Sequence, residues 1–261
     1  MFSYPDIDPV IFSIGAVKIR WYGLMYVVGF VVAWFLARRR ATTSWSVIKP
    51  EQIDDLIFYC MLGVILGGRL GYVFFYGFET LKADPLYLIR ITEGGMSFHG
   101  GLVGVMVAMT LFARKLGISM WQLWDFVAPL APLGLFFGRI GNFINGELWG
   151  KPTDVPWAFN VGGQVLHPSM LYEAILEGLV LFAIVWWFSA RPRPPMSVAG
   201  LFLFFYGAFR FMVEFVRVPD SHLGYLAFDW VTMGQVLSLP MVVLGGTMFF
   251  LAYRRHDAVA A

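Results

Sequence analysis

Gly138-Arg139-Ile140-Gly141-Asn142-Phe143-Ile144-Asn145-Gly146-Glu147-Leu148-Trp149-Gly150 closes an apolar run that begins near Phe126. An arginine, two asparagines, a glutamate and four glycines are set into a segment otherwise suited to cross a bilayer. Each ionic or amide group at membrane depth costs several kcal/mol, so stability gives no reason for them. Arg139 and Asn142 are three apart and share a helix face. The glycines that follow let the backbone bend and approach a ligand closely. The plain reading is a helix end with snorkelling polar side chains and a turn. The alternative is a functional polar site inside the membrane, and the rest of the chain favours it.

Working outward, the 261 residues are 59% hydrophobic and 14% charged, with a mean hydropathy of +0.69. Soluble domains carry about a quarter charged residues, so this is the composition of an all-α polytopic membrane protein. A net charge of +2 gives no case for nucleic acid. The single cysteine, Cys60, lies in an apolar run and excludes an intramolecular disulfide; it reads as a small buried hydrophobe. The first ten residues are acidic and contain proline, and no small-residue cleavage site follows the first apolar run. That run is therefore expected to stay as a spanning helix.

Seven stretches approach the roughly 20 residues a span needs: 22–37, 56–77, 98–113, 126–145, 170–189, 199–216 and 231–253. The whole chain reads as one integral-membrane domain. Arg38, Arg39, Arg40, Lys49, Arg114, Lys115, Arg191, Arg193, Arg254 and Arg255 follow odd-numbered spans. Lys18, Arg20, Lys82, Arg90, Lys151 and Arg217 lie on the opposite side. The ten face the cytoplasm by the positive-inside rule, which puts the N-terminus outside and the C-terminus inside.

Three basic residues remain, Arg69, Arg139 and Arg210, in spans two, four and six. They are spaced by 70 and 71 residues. Each lies about 20 Å along its helix at 1.5 Å per residue, in the outer half of the membrane. Gly68-Arg69-Leu70-Gly71 and Gly138-Arg139-Ile140-Gly141 share a local pattern. Three guanidinium groups at one depth need anions. Glu214, four residues after Arg210, could neutralise it, and Glu173 or Glu177 could take another. Buried ion pairs are one reading. A phosphate site is the sharper one, because the guanidinium fork matches phosphate oxygens.

Other polar residues gather on the same side. Arg20 and Tyr22 open span one. Gly94-Gly95-Met96-Ser97-Phe98-His99-Gly100-Gly101 enters span three, where its glycines could cradle an anion and His99 could transfer a proton. His167-Pro168-Ser169 enters span five, and Tyr206 precedes Arg210 by one turn. Residues 146–169 form an outer segment, expected as a short strand or loop capping the site. The pairs and triplets Gly63, Gly67 and Gly71, Gly100 and Gly104, and Gly134 and Gly138 are spaced by four, as close helix packing requires. No zinc-binding pattern occurs, nor a Gly-x-Ser-x-Gly elbow or nucleotide phosphate loop. Neither His99 nor His167 has the aspartate that a glycerolipid acyltransferase needs. No metal and no cofactor are expected, and the nucleophile would come with a substrate.

The stretch 138–150 resembles the signature of the phosphatidylglycerol:prolipoprotein diacylglyceryl transferase family. Five further blocks extend the likeness over nearly the whole chain: Trp21 to Tyr26, Phe98 to Gly101, His167 to Glu173, Tyr206 to Glu214, and Met233 to Ser238. The resemblance implies a seven-helix enzyme of the bacterial inner membrane, with its site towards the periplasm and a periplasmic cap at 146–169. It would transfer the diacylglyceryl group of phosphatidylglycerol to the lipobox cysteine thiol of a prolipoprotein. A thioether forms and glycerol phosphate leaves. The family's functional residues map onto Tyr22, His99, Arg139, Asn142, Glu147, Gly150, Tyr206 and Arg210. Arg20 stands where some relatives carry histidine.

The chemistry agrees with the residues. Arg139 and Arg210 would offset the charge growing on the departing phosphate. A thiol with pKa near 8.5 needs modest help, for which His99 is the expected base. Tyr22, Asn142, Glu147, Gly150 and Tyr206, with Arg69, Glu214 and His167, are expected to bind substrate or hold the arginines. A transporter of anionic lipid would need polar residues on both membrane faces and helices broken at the midplane. The polar set is one-sided. A structural scaffold would not need arginines and a histidine at depth.

Overall fold

The computed structural model describes residues 1–5, 7–15, 17–90, 94–219 and 224–260, with residues 14, 17 and 255–260 as backbone only. The side chain of Arg255, counted above with the cytoplasmic cations, therefore lies outside the described residues. Among the described residues the α-helices are α1 (Trp21–Ala41), α2 (Ile53–Phe75), α3 (Phe78–Ala83), α4 (Phe98–Leu116), α5 (Met120–Val127), α6 (Ala131–Ile144), α7 (Ser169–Glu173), α8 (Leu181–Phe188), α9 (Ser197–Val213) and α10 (Met233–Ala260). Five short strands accompany them: β1 (Phe2–Ser3), β2 (Val10–Ile14), β3 (Val17–Arg20), β4 (Phe159–Val161) and β5 (Gln164–Leu166).

This is a helical, polytopic membrane protein. Among the described residues four helical runs are long and apolar enough to cross a bilayer: Trp21–Ala41, Pro50–Phe75, Ser169–Phe188 and Met233–Arg254. A bent helix pair makes a fifth when it is counted as one span. Where the sequence suggests one helix over 126–145, α5 and α6 form a pair bent by 44°. Pro129 lies in the break itself, where its missing N–H cannot continue α5, and Pro132 stands in the first turn of α6, a position that suits a helix start. α9 is apolar but only 17 residues long. α4 has 19 residues, with Arg114 and Lys115 in its last turn.

The chain forms two compact units, Met1–Leu36 with Asp125–Ala261, and Ala37–Trp124. In the second, the glycine stripe packs α2 on α4. A Cβ on Gly63 would stand 2.6 Å from Gly104 O, and one on Gly71 would stand 2.8 Å from Gly100 Cα. Backbones this close need small residues on both helices. Arg38 meets Asp54 at 3.5 Å and Lys115 meets Asp55 at 3.6 Å. The basic ends of α1 and α4 thus lie beside the acidic start of α2, as the helix dipoles favour.

In the first unit α9 packs on α10 through Gly200 and Gly207, where a Cβ would stand 2.9 Å from Gly245 O and Ser238 O respectively. Between α7 and α8 the helix widens into a π-helical stretch, Ala174–Val180. Gly178 lies there against Phe136 of α6, at 2.7 Å from Phe136 Cβ for an added Cβ. Gly134 and Gly138 behave differently from the expected packing pair, because a Cβ on either meets nothing within 4 Å.

Residues 146–169, expected as a short strand or loop, hold two of the strands. β4 and β5 pair antiparallel around Gly162 and Gly163, both with positive φ (59° and 86°), the geometry of a tight hairpin turn. The sequence gives no warning that β1 joins β4 in parallel, Phe2 opposite Phe159. Tyr4 then packs edge-on against Phe143 and Trp149 at 5.5 and 5.1 Å. Its hydroxyl donates to Phe143 O and Ile144 O at 2.8 and 3.1 Å, two carbonyls at the end of α6.

Candidate functional site

α6 delivers Arg139 and Asn142 to one face, as their spacing requires. Arg139 Nη2 meets Glu173 Oε2 at 2.5 Å, and its Nη1 donates to Asn142 Oδ1 at 3.3 Å. Asn142 Nδ2 in turn donates to Glu147 Oε1 at 2.9 Å, which also accepts from Asn145 Nδ2 at 3.2 Å. The positive φ of Gly146 (67°) turns the chain so that Glu147 folds back over the helix end. Asn142 is buried, whereas Glu147 is exposed. The signature stretch is thus a relay from an exposed carboxylate through an amide to Arg139.

Glu173 is the hub. It is 0% exposed and meets three guanidinium groups. Besides Arg139, Arg210 Nη1 lies 3.2 Å from Oε2, and Arg217 Nη1 contacts Oε1. The Oε2 contacts are ion pairs rather than well-directed hydrogen bonds. Glu214 is the second anion, paired with Arg210 at 2.5 Å and with Arg217 Nε at 3.0 Å. Thr232 Oγ1 donates to its other oxygen at 2.6 Å. Thr232 and Gln235 close a reciprocal cap at the start of α10, with bonds of 3.0 and 3.2 Å. Gly234 leaves room for the Glu214 carboxylate, which a Cβ there would overlap.

Arg217 was missed in the sequence, where it was counted as an outer-loop cation. The i+4 and i+3 steps from Arg210 to Glu214 to Arg217 carry the signal. Gly150 is what seats it. Gly150 and Arg217 form a β-bridge, and a Cβ on Gly150 would stand 2.5 Å from Val216 O and 2.9 Å from His167 Cβ. Gly150 N also donates to His167 O at 2.8 Å. Gly150 therefore acts through close backbone packing.

Tyr22 lies across Gly141, where an added Cβ would be 2.8 Å from its ring. Its hydroxyl is 3.1 Å from that of Tyr26. Tyr206 stacks on Phe202 with centroids 5.9 Å apart and has Arg139, Arg210, Glu173 and Glu177 as charged neighbours. His167 Nδ1 is 3.0 Å from Tyr172 Oη, which accepts from Trp157 Nε1 at 2.8 Å. Partial burial holds the His167 pKa below its usual value, a shift that nearby Asp154 partly offsets.

Arg69 and His99 lie in the other unit, and Arg69 is engaged elsewhere than the sequence suggests. It is buried and donates to Leu88 O at 3.1 Å, Gly94 O at 2.6 Å, Gly95 O at 3.3 Å, and Tyr87 O. Four of its five N–H donors hold the loop before α4, and its guanidinium lies 4.7 Å from the centre of the Tyr87 ring. Gly94 and Gly95, both with positive φ, turn their carbonyls to this cation. The expected amide cradle for an anion is instead a carbonyl clamp. His99 is exposed, edge-on to Phe98 at 5.6 Å. It lines one end of an apolar groove of about 980 Å³ between α2 and α4.

Residues 9–251 match the family of prolipoprotein diacylglyceryl transferases. The chain belongs to that family. A phosphatidylglycerol–prolipoprotein diacylglyceryl transferase of Methylococcus capsulatus is 56% identical to it, over 99% of this chain and all of the relative. One of Chromohalobacter salexigens is 59% identical over 94% of this chain and 92% of its own length. One of Ectopseudomonas mendocina is 55% identical over the full length of both. The diacylglyceryl transferase match runs from β2 into α10, and so includes every member of the arginine–glutamate cluster.

Proposed function

We propose that this protein moves the diacylglyceryl group of phosphatidylglycerol onto the lipobox cysteine of prolipoproteins, the first step of bacterial lipoprotein maturation. The observation that carries the reading is the cluster of half-buried Arg139, Arg210 and Arg217 around the buried carboxylates of Glu173 and Glu214. Glu173 and Glu214 are the only carboxylates its guanidinium groups touch among the described residues. Arg139 Nε is buried with no acceptor among the described residues. A buried guanidinium N–H beside two further arginines suits a phosphodiester oxygen.

In the reaction the cysteine sulfur attacks the glyceryl carbon. A C–S bond forms, the C–O bond to phosphorus breaks, and glycerol phosphate leaves carrying the added charge. Arg139 and Arg210 stabilise that charge as it grows. Glu173, Glu214 and Arg217 fix their forks, and Asn142 with Glu147 orients Arg139. Tyr22 and Tyr206 bound the head group. His99 takes the thiol proton, a role that rests on imidazole chemistry and the family resemblance.

The topology that fits is seven crossings in the inner membrane, with α4 and α9 completing the count. The N-terminus and the 146–169 cap lie in the periplasm and the C-terminus in the cytoplasm. Both substrates are membrane-bound and arrive laterally. The test is transfer of labelled diacylglyceryl from phosphatidylglycerol to a lipobox peptide by wild type, Arg139→Ala, Arg210→Ala and His99→Gln. Loss of either arginine is expected to slow transfer by about 10²–10³-fold in folded protein. Near-normal transfer by His99→Gln would remove it as the base. If wild type makes no thioether, the transferase reading fails, and anionic-lipid transport is the next assay.

A further inference from the structure

Beside the cluster sits a carboxylate with no hydrogen bond. Glu177 is 0% exposed, and neither of its oxygens accepts a hydrogen bond among the described residues. It lies in the π-helical stretch four residues after Glu173, a local widening that recurs at functional sites. The charged and titratable groups around it are Arg139 from α6, Glu173 from α7, Arg210 and Tyr206 from α9, and Arg217 beyond α9. α8 contributes only apolar side chains.

A buried carboxylate without donors is costly when charged, unless nearby cations support it. The three arginines carry three positive charges, and Glu173 and Glu214 balance two. The third is balanced only while Glu177 is ionised. A bound phosphodiester brings one negative charge of its own, and the ionised Glu177 then has neither a hydrogen bond nor a surplus cation to hold it. Taking the lipid substrate proposed above as given, we infer that Glu177 gives up its charge to the substrate. It is ionised in the empty cluster and protonated when a phosphodiester is bound. Lipid binding is thereby linked to uptake of one proton from solvent.

The experiment is calorimetric titration of dihexanoyl phosphatidylglycerol into the detergent-solubilised full chain, in buffers of different ionisation enthalpy, between pH 6 and 9. Wild type is expected to take up close to one proton per lipid where Glu177 starts ionised. Its affinity should fall by up to about tenfold per pH unit there. Glu177→Gln, fixed in the uncharged form, should bind with no proton uptake and with affinity flat against pH. Should Glu177→Gln fail to fold, Glu177→Asp keeps the carboxyl and should retain the uptake. Wild-type binding without proton exchange, or unchanged uptake in Glu177→Gln, would overturn the inference and leave the substrate reading standing. No binding by wild type at any pH would sink both.

Discussion

Replacing Glu173 by glutamine removes the charge on which three guanidinium groups converge, while nearly preserving shape. The carboxylate is 0% exposed, and it meets Arg139 at 2.5 Å, Arg210 at 3.2 Å, and Arg217. Breaking a buried ion pair from one side costs about 3–5 kcal/mol, because the partner charge stays behind. Here the partners keep 23%, 18% and 13% side-chain exposure, and two of them retain Glu214. Partial rehydration and that second anion place the loss near the lower bound, at about 3 kcal/mol. At roughly 2–4 °C per kcal/mol for a chain of this size, the unfolding midpoint in detergent should fall by roughly 6–12 °C. The companion variant is Arg217→Gln in the Glu173→Gln background. It removes one of the uncompensated cations, so the pair should be more stable than the sum of the single losses by at least about 1 kcal/mol. Equilibrium unfolding in mixed micelles measures all three. A Glu173→Gln protein within about 0.5 kcal/mol of wild type, or strict additivity, would show that Glu173 is not the hub that the distances describe.

Gly150→Ala should cost about 1–3 kcal/mol through overpacking and slow transfer as well, because its Cβ would press on Val216 O at 2.5 Å, next to Arg217; unchanged stability and turnover would refute the packing role. Arg69→Lys should loosen the backbone that Arg69 holds at Tyr87, Leu88, Gly94 and Gly95, seen as faster proteolysis near residues 85–90, since a compact ammonium cannot serve four carbonyls. Its affinity for short-chain phosphatidylglycerol should stay at the wild-type value, and a loss matching that of Arg139→Ala would return Arg69 to the phosphate site. The depressed pKa of His167 means the unfolded chain takes up its proton first as pH falls. That contribution to stability is complete above the ordinary histidine value of about 6.5 and is lost below it. Thermal midpoints from pH 7.5 to 5 should therefore drop more steeply for wild type than for His167→Gln.

Much of this was legible in the sequence because it depends on local spacing. Apolar length gave the four long helical runs, four-residue glycine spacing gave the α2–α4 contact, and the i+3 step from Arg139 to Asn142 gave the start of the relay. What was not legible depends on partners far along the chain. Arg139, Arg210 and Arg217 converge on Glu173 from three segments, and no local pattern says that one carboxylate serves all three. The break between α5 and α6 was written in Pro129 and Pro132, but the continuous apolar composition masked it. The π-helical stretch has no comparable residue signature. Nor does the pairing of Phe2 and Ser3 with β4.

Arg69 shows why a repeated pattern is not a repeated function. Gly68-Arg69-Leu70-Gly71 and Gly138-Arg139-Ile140-Gly141 match in both glycines, and the second glycine does similar work in each. A Cβ on Gly71 would stand 2.8 Å from Gly100 Cα, and one on Gly141 would stand 2.8 Å from the Tyr22 ring. The pattern fixes how closely a neighbour approaches the helix, which is a backbone property. It does not fix what the guanidinium meets. Arg69 meets the carbonyls of Tyr87, Leu88, Gly94 and Gly95, whose dipoles use up its donors. Arg139 meets a carboxylate that two other arginines share and keeps a buried N–H without an acceptor among the described residues. An anion brought to the first would have to displace the loop. Brought to the second, it finds a donor among three clustered guanidinium groups, so of the two arginines only Arg139 is poised to hold a phosphate.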